Sequence, residues 1–209
     1  VFGAELHPAP SRGDLLGVPS CLVLLRHGAT AWSISGQHTG RTDIPLEPEG
    51  REQAKAAGQL LKGREFALIL ASPLRRAWDT CVLAGFEAQP EPDLMEWDYG
   101  AYDGLTSAEI VVDRPEWTIW TGGVEGGERA ADVGRRVDRV IERAREADGD
   151  TLCVAHGHVL RVLTARWLGL PPVGGRLFGL DPGAICVLGW EHGTPVVLLW
   201  NRSKSLQGD

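Results

Sequence analysis

Two short stretches of the chain set histidine beside glycine, Arg26-His27-Gly28 and His156-Gly157-His158, and a third, Ser72-Pro73-Leu74-Arg75-Arg76, supplies two adjacent arginines. Imidazole can act as a nucleophile or a proton carrier near neutral pH. Guanidinium forks onto the oxygens of carboxylates and phosphates. Histidines and arginines delivered to one place would therefore suit chemistry on an anion such as a phosphoryl group. A carboxylate could complete the set, and Glu96 stands in an aromatic stretch, Glu96-Trp97-Asp98-Tyr99-Gly100. Each signal is weak when taken singly. A histidine after a strand can simply pack or hydrogen-bond, and Glu96 reads on composition as a surface carboxylate.

What joins these residues is the kind of element each one follows. Residues 21–25 form a short apolar run that stops at Arg26, as a strand buried on both faces of a parallel sheet would. Runs at 67–71, 151–155 and 184–188 share that character, and 195–199 reads as a fifth strand. Helical patterns lie between them. Pro48 precedes a helix over 49–61 with apolar Ala54, Ala57 and Leu61, while Val133, Val137, Val140, Ile141 and Ala144 make one apolar stripe. This alternation predicts an α/β fold, a three-layer α/β/α sandwich with a mostly parallel central sheet. Open sheets of this kind bind ligands beyond the carboxyl ends of their strands. The first three runs would deliver His27, Arg76 and His156 to that edge. Arg135, Arg136, Arg139 and Arg143 alternate with Asp132, Asp138, Glu142 and Glu146 and read as a solvated, paired helix face.

Composition narrows the functions. The 209 residues, 43% hydrophobic and 23% charged, fit globular structure rather than disorder. We expect a flexible N-terminal extension over 1–19 and one domain over 20–209. The formal charge of -7 is the wrong sign for a general nucleic-acid or anionic-membrane binder, so a bound anion needs a local positive cluster. No apolar run approaches the roughly 20 residues of a membrane span. The first twenty residues lack the basic start and apolar core of a secretory signal, so a cytoplasmic location is expected. Cys21, Cys81, Cys153 and Cys186 are widely spaced without a CxxC pair and read as reduced thiols.

Taken together, the motifs resemble those of the histidine phosphatase superfamily, also called phosphoglycerate mutase-like. The resemblance runs over residues 21 to 190. It comprises Arg26-His27-Gly28-Ala29-Thr30 continuing through Gly36-Gln37-His38-Thr39-Gly40, Ser72 with Arg76, Glu96 to Gly104, and His156-Gly157-His158-Val159-Leu160-Arg161. It implies a phosphomonoester hydrolase in which His27 attacks phosphorus, Arg26 and Arg76 hold the phosphoryl oxygens, and His156 stabilises their charge. Glu96 would protonate the leaving oxygen and then activate water, with Trp97 and Tyr99 desolvating it toward the protonated form. Ser33, Thr39, Gly40 and Tyr99 match positions that contact phosphate or substrate, while Gly157 would let backbone approach a phosphate or serve a tight turn, and Arg161, one turn into the helix after His156, would reach a second anionic group of the substrate. Turn and capping chemistry is an equal reading for Ser33, Thr39 and Gly40. Arg161 could equally pair with a carboxylate.

Mutases of this family carry a Lys where this chain has Ser107, and an Arg pair in an inserted segment. Here Thr106 to Gly127 offers Arg114 as its sole basic residue, which favours a phosphatase. The phrases around Ser33, Glu96, Trp117 and His156 look like fungal sedoheptulose-bisphosphatases and actinobacterial acid phosphatases, which implies a sugar phosphate or bisphosphate. The implied partner is a small phosphorylated metabolite, with no nucleic acid, membrane, metal or cofactor, and a homodimer is left open. Two other readings stand beside this one. His156 and His158 with a carboxylate could ligate a metal, although no HExxH or clear third ligand is present. A non-catalytic phosphate-binding scaffold on the same fold is the other, against which all four of His27, Arg76, Glu96 and His156 are retained.

Overall fold

The computed structural model describes residues 20–203. The extension expected over 1–19 lies outside the described residues. Among the described residues, six strands form one sheet, in the order β3, β2, β4, β1, β5, β6. They are β1 (Leu22–Arg26), β2 (Leu68–Ala71), β3 (Gln89–Pro90), β4 (Thr151–Ala155), β5 (Ile185–Glu191) and β6 (Thr194–Arg202). β1, β2, β3 and β4 run parallel, with Leu24 beside Cys153 and Leu70 beside the same residue on its other flank. β5 pairs antiparallel with β1, and β6 antiparallel with β5. The sheet is thus mostly parallel, as the apolar runs imply.

Alternation along β1 assigns its residues to two cores. Leu22 and Leu24 pack into one cluster, Val23 and Leu25 into the other. Helix α5 (Ala130–Glu146) covers the first face with Val133, Val137, Val140, Ile141 and Ala144, joined by α6 (Gly157–Trp167) through Val159, Leu160 and Leu163. Each buried Val, Ile or Leu contributes about 1.5–3 kcal/mol of transfer free energy. The opposite face is covered by α2 (Pro48–Leu60) and α3 (Arg75–Leu83), using Ala57, Leu61 and Cys81. Pro48 sits inside the first turn of α2, where its missing N–H costs nothing. Two short helices, α1 (Ala31–Ser35) and α4 (Ser107–Asp113), lie in the loops above the sheet.

Three expectations need correction. Arg26 belongs to β1 rather than following it. β5 begins at Ile185 and brings its first residue, not its last, to the edge where β1 ends. The α5 arginines do not form a uniform solvated face: Arg135 pairs with Asp132, but Arg136 is buried against Glu128. Cys81, Cys153 and Cys186 are buried and Cys21 is half-buried, all four as free thiols.

Candidate active site

His27 follows the last residue of β1, and its backbone is held from both sides. Its N–H donates to the Ala155 carbonyl at 2.9 Å, and its carbonyl accepts from Gly183 N–H at 3.0 Å. The chain then turns tightly beneath α2. A Cβ on Gly28 would fall 2.1 Å from the Gly50 carbonyl oxygen, and one on Gly50 would fall 2.1 Å from that of Ala29. Only glycine on both sides permits this approach. His27 is 4% exposed, and its Nδ1 lies 2.7 Å from the Gly28 carbonyl. Since that carbonyl can only accept, Nδ1 carries the proton and Nε2 keeps a lone pair. Burial, followed by the charges of Arg26 and Arg76, holds the ring well below the usual histidine pKa, so it is neutral at neutral pH.

His156 follows the last residue of β4, with its ring centroid 5.2 Å from that of His27. Arg76, fully buried in the first turn of α3, donates from Nε to His156 Nδ1 at 3.1 Å. His156 Nε2 therefore carries the proton and meets Ser72 Oγ at 2.7 Å. The other Arg76 nitrogens donate to the carbonyls of Thr39, Thr42 and Gly40 at 2.9–3.0 Å. The guanidinium expected to fork onto phosphate thus also braces the 39–42 loop, and both ring nitrogens of His156 are engaged. Burial, then Arg76 and His27, keeps His156 neutral as well.

Glu96 meets these groups at the start of α6. Its Oε1 accepts from Trp97 N–H and Val159 N–H, each at 2.9 Å, and Oε2 accepts from His158 N–H at 3.0 Å. The carboxylate thereby satisfies helix donors that His156, the residue before the helix, does not cap with its own side chain. Trp97 and Tyr99 are buried beside it, as expected, but these three donors were not legible in the sequence. Its charge acts on Arg26, Arg76, Tyr99 and Arg161, which puts all four around one centre. Tyr99 Oη lies 2.7 Å from His158 Nδ1, and burial followed by the Glu96 charge pushes the phenol well above its usual pKa.

Arg26 extends across the start of α6. Its Nη1 donates to the Leu180 carbonyl, whereas Nε is buried with no hydrogen-bond partner among the described residues. Gly157 makes room for it, since a Cβ there would stand 3.3 Å from the guanidinium carbon. Arg161 stacks 4.7 Å over Trp120 and donates to the Gly175 carbonyl at 3.1 Å. The first loop is spent more locally. Ser33 forms a capping box with Thr30, Thr39 Oγ1 donates weakly to the Gln37 carbonyl at 3.4 Å, and Gly40 N–H donates to Asp103 at 2.7 Å. Asp103, legible only as a member of the Glu96–Gly104 motif, also takes Thr42 N–H and Oγ1, and Thr80, which sequence reasoning passed over, accepts from Gly28 N–H. Ser72 and Asp103 fall inside the motifs and could have been found there. The Leu180 carbonyl leaves no side-chain signal at all.

The model of the histidine phosphatase superfamily, branch 1, matches residues 22–203, which include every one of these groups. The chain belongs to the histidine phosphatase superfamily. This phosphatase is 44% identical over 177 residues to an acid phosphatase of Mycobacterium tuberculosis, covering 82% of this chain and 87% of that one. It is 36% identical to the sedoheptulose 1,7-bisphosphatase of Saccharomyces cerevisiae, over 73% of this chain and 68% of the relative. A solved structure of an open reading frame product from Mycobacterium tuberculosis superposes with a TM-score of 0.85 at 40% identity, covering 88% and 98% of the two chains. The phosphatase has no group of three or more ligating side chains able to hold a metal among its described residues. His158, the ligand in the metal reading, is committed to Tyr99 and ringed by Trp97, Trp120 and His38. Among the described residues no helix is long and apolar enough to cross a membrane.

Proposed function

We propose that the chain hydrolyses small sugar phosphates or bisphosphates through a phosphohistidine on His27. The carrying observation is the His27–Gly28 hydrogen bond, which leaves the Nε2 lone pair available beside Arg26, whose buried Nε lacks a partner among the described residues. In the first step Nε2 attacks phosphorus, the bond from phosphorus to the sugar oxygen breaks, and that oxygen takes a proton from the Glu96 carboxyl. Arg26, Arg76 and His156 counter the charge of the transferring phosphoryl group, which requires His156 to exchange the Ser72 contact for a substrate oxygen. Water then gives its proton to the Glu96 carboxylate and attacks phosphorus. The P–N bond breaks toward Nε2, and inorganic phosphate leaves.

Hydrolysis is favoured over mutase transfer by the Thr106–Gly127 segment. Arg114, its one basic residue, is spent on Tyr102 Oη at 2.9 Å and the Gly122 carbonyl at 2.8 Å, and Ser107 faces His38 at 3.2 Å. A sugar substrate is supported by the bisphosphatase relative, by Tyr99 and by Arg161 at the rim. The four free thiols fit a reducing, cytoplasmic setting. Rapid-quench labelling with a phosphorylated substrate tests the intermediate. We expect an acid-labile, base-stable adduct on the wild type and none on His27→Ala, while an unlabelled wild type in steady turnover would overturn the reading.

A further inference from the structure

Three arginines on one side of α5 reach the segment that leads into Glu96. Arg143 pairs with Glu91, and Arg139 grips both carboxylate oxygens of Asp93 at 2.6–2.7 Å. Arg136 Nη1 donates to the carbonyls of Asp93 and Met95, at 2.7 and 2.6 Å. Its Nε and Nη2 bind the two oxygens of Glu128, at 2.9 and 3.0 Å. Glu128 closes the other side: its Oε2 accepts from Asp98 N–H at 2.9 Å, its own N–H donates to the Asp98 carbonyl at 2.9 Å, and its carbonyl accepts from Trp97 Nε1 at 2.8 Å.

One ion pair therefore grips the backbone at Met95 and at Asp98, immediately on either side of Glu96 and Trp97. The three arginines are not equivalent. The Arg136 side chain is 8% exposed, against 59% for Arg139 and 42% for Arg143. Solvated pairs contribute little, whereas removing one member of a buried pair strands its partner's charge. Helix α5 packs against α6 in the same core, and the first turn of α6 supplies two of the three donors to the Glu96 carboxylate. Arg136 thus ties the segment bearing Glu96 to the helix pair against which the carboxylate is held.

We infer that Arg136 and Glu128 are positioning residues for Glu96, fixing the backbone that presents its carboxyl to the leaving oxygen. This rests on Glu96 being the proton donor. A displacement of about 1 Å in such a group is enough to cost about 100-fold in rate. The effect should be confined to leaving groups that need a proton.

The test compares kcat on a hexose phosphate, whose alkoxide needs protonation, with kcat on p-nitrophenyl phosphate, whose phenolate needs little help. The variants are Glu96→Gln, Arg136→Lys, Glu128→Gln, Arg139→Ala and the Arg136→Lys/Glu96→Gln double variant, each checked for folding by its melting curve. Arg136→Lys and Glu128→Gln should lose about tenfold or more on the hexose phosphate and less than threefold on the aryl ester. Arg139→Ala should stay within twofold on both. In the double variant the hexose-to-aryl discrimination should be no larger than in Glu96→Gln, because a group acting through Glu96 has nothing left to act on. Equal losses on both substrates, or discrimination that adds to that of Glu96→Gln, would overturn the inference. Glu96→Gln failing to discriminate would instead overturn the proton-donor assignment, and the inference with it. Should Arg136→Lys not fold, Glu128→Gln carries the same comparison.

Discussion

Arg76 Nε donates to His156 Nδ1 across 3.1 Å, and this contact sets the tautomer of a histidine that lies 5.2 Å, ring to ring, from His27. The same guanidinium takes three carbonyls of the 39–42 loop, so one buried side chain joins the end of β4 to the loop over His27. A planar fork with five donors is what the arrangement uses.

Arg76→Lys should accordingly behave as a loss rather than a conservative change. Lysine keeps the charge but cannot reach His156 and three carbonyls together. We expect kcat/KM to fall about 100-fold or more, the scale for losing a donor at a developing charge, together with destabilisation of about 3 kcal/mol or more from the stranded buried acceptors. Steady-state kinetics and urea unfolding measure the two effects. A variant within tenfold of the wild type would show that the charge by itself suffices.

Two glycine substitutions separate packing from backbone strain. Gly28→Ala drives a Cβ to 2.1 Å from the Gly50 carbonyl, so the turn bearing His27 must move. Gly36 ends α1 at φ +81°, an added Cβ there would meet no described atom within 4 Å beyond its chain neighbours, and its alanine variant should cost only about 1–2 kcal/mol of conformational strain. Gly28→Ala should therefore lose activity by about 100-fold while Gly36→Ala remains near wild type. Equal activity in both variants would rule out the close approach of α2.

Stability should fall as the solution is acidified. His27 and His156 are buried and His158 is half-buried, and all three have pKa values pushed well down, in each case first by loss of solvent. The unfolded chain takes up these protons near pH 6.5, while the native state does not until lower pH. Between those limits the unfolded state binds more protons, so stability drops with falling pH by at most about 1.4 kcal/mol per unit for each histidine. Melting temperatures should decline between pH 7.5 and 5.5. His158→Asn, which keeps an acceptor for Tyr99, should flatten the decline. A flat wild-type profile would show that these rings titrate in the native state as they do in the unfolded chain.

How much of this was readable from the chain depended on the kind of group involved. The edge at which His27, Arg76 and His156 meet was legible because a continuous apolar run announces a buried parallel strand, and such strands end at a common edge. Residues that act through backbone atoms stayed hidden. Nothing in Leu180 reveals that its carbonyl holds Arg26, and nothing in Val159 reveals that its N–H holds Glu96. Arg136 was misread for a related reason. Asp132 stands one helical turn before it and suggests a local pair, whereas its actual partners, Glu128 and two carbonyls of another segment, come together only on folding.

Arg161 offers a direct probe of the substrate. It is stacked on Trp120 and half-buried at the rim, on the helix that follows His156. If it meets the distal anion of a bisphosphate, Arg161→Ala should raise KM or lower kcat/KM for that substrate about tenfold or more, the scale of one charge-assisted contact. An aryl monophosphate should be little affected. Equal losses on both would assign Arg161 to the fold or to the common phosphate site.

The antiparallel course of β5 sends the β5–β6 turn to the end of the sheet away from His27. That turn, His192-Gly193, is exposed and has positive φ at both residues, 49° and 79°. It is an attachment point built into the architecture. A fluorophore, an affinity tag or a surface tether introduced there would leave the catalytic end facing solution, so that an immobilised form should turn over substrate as the free protein does.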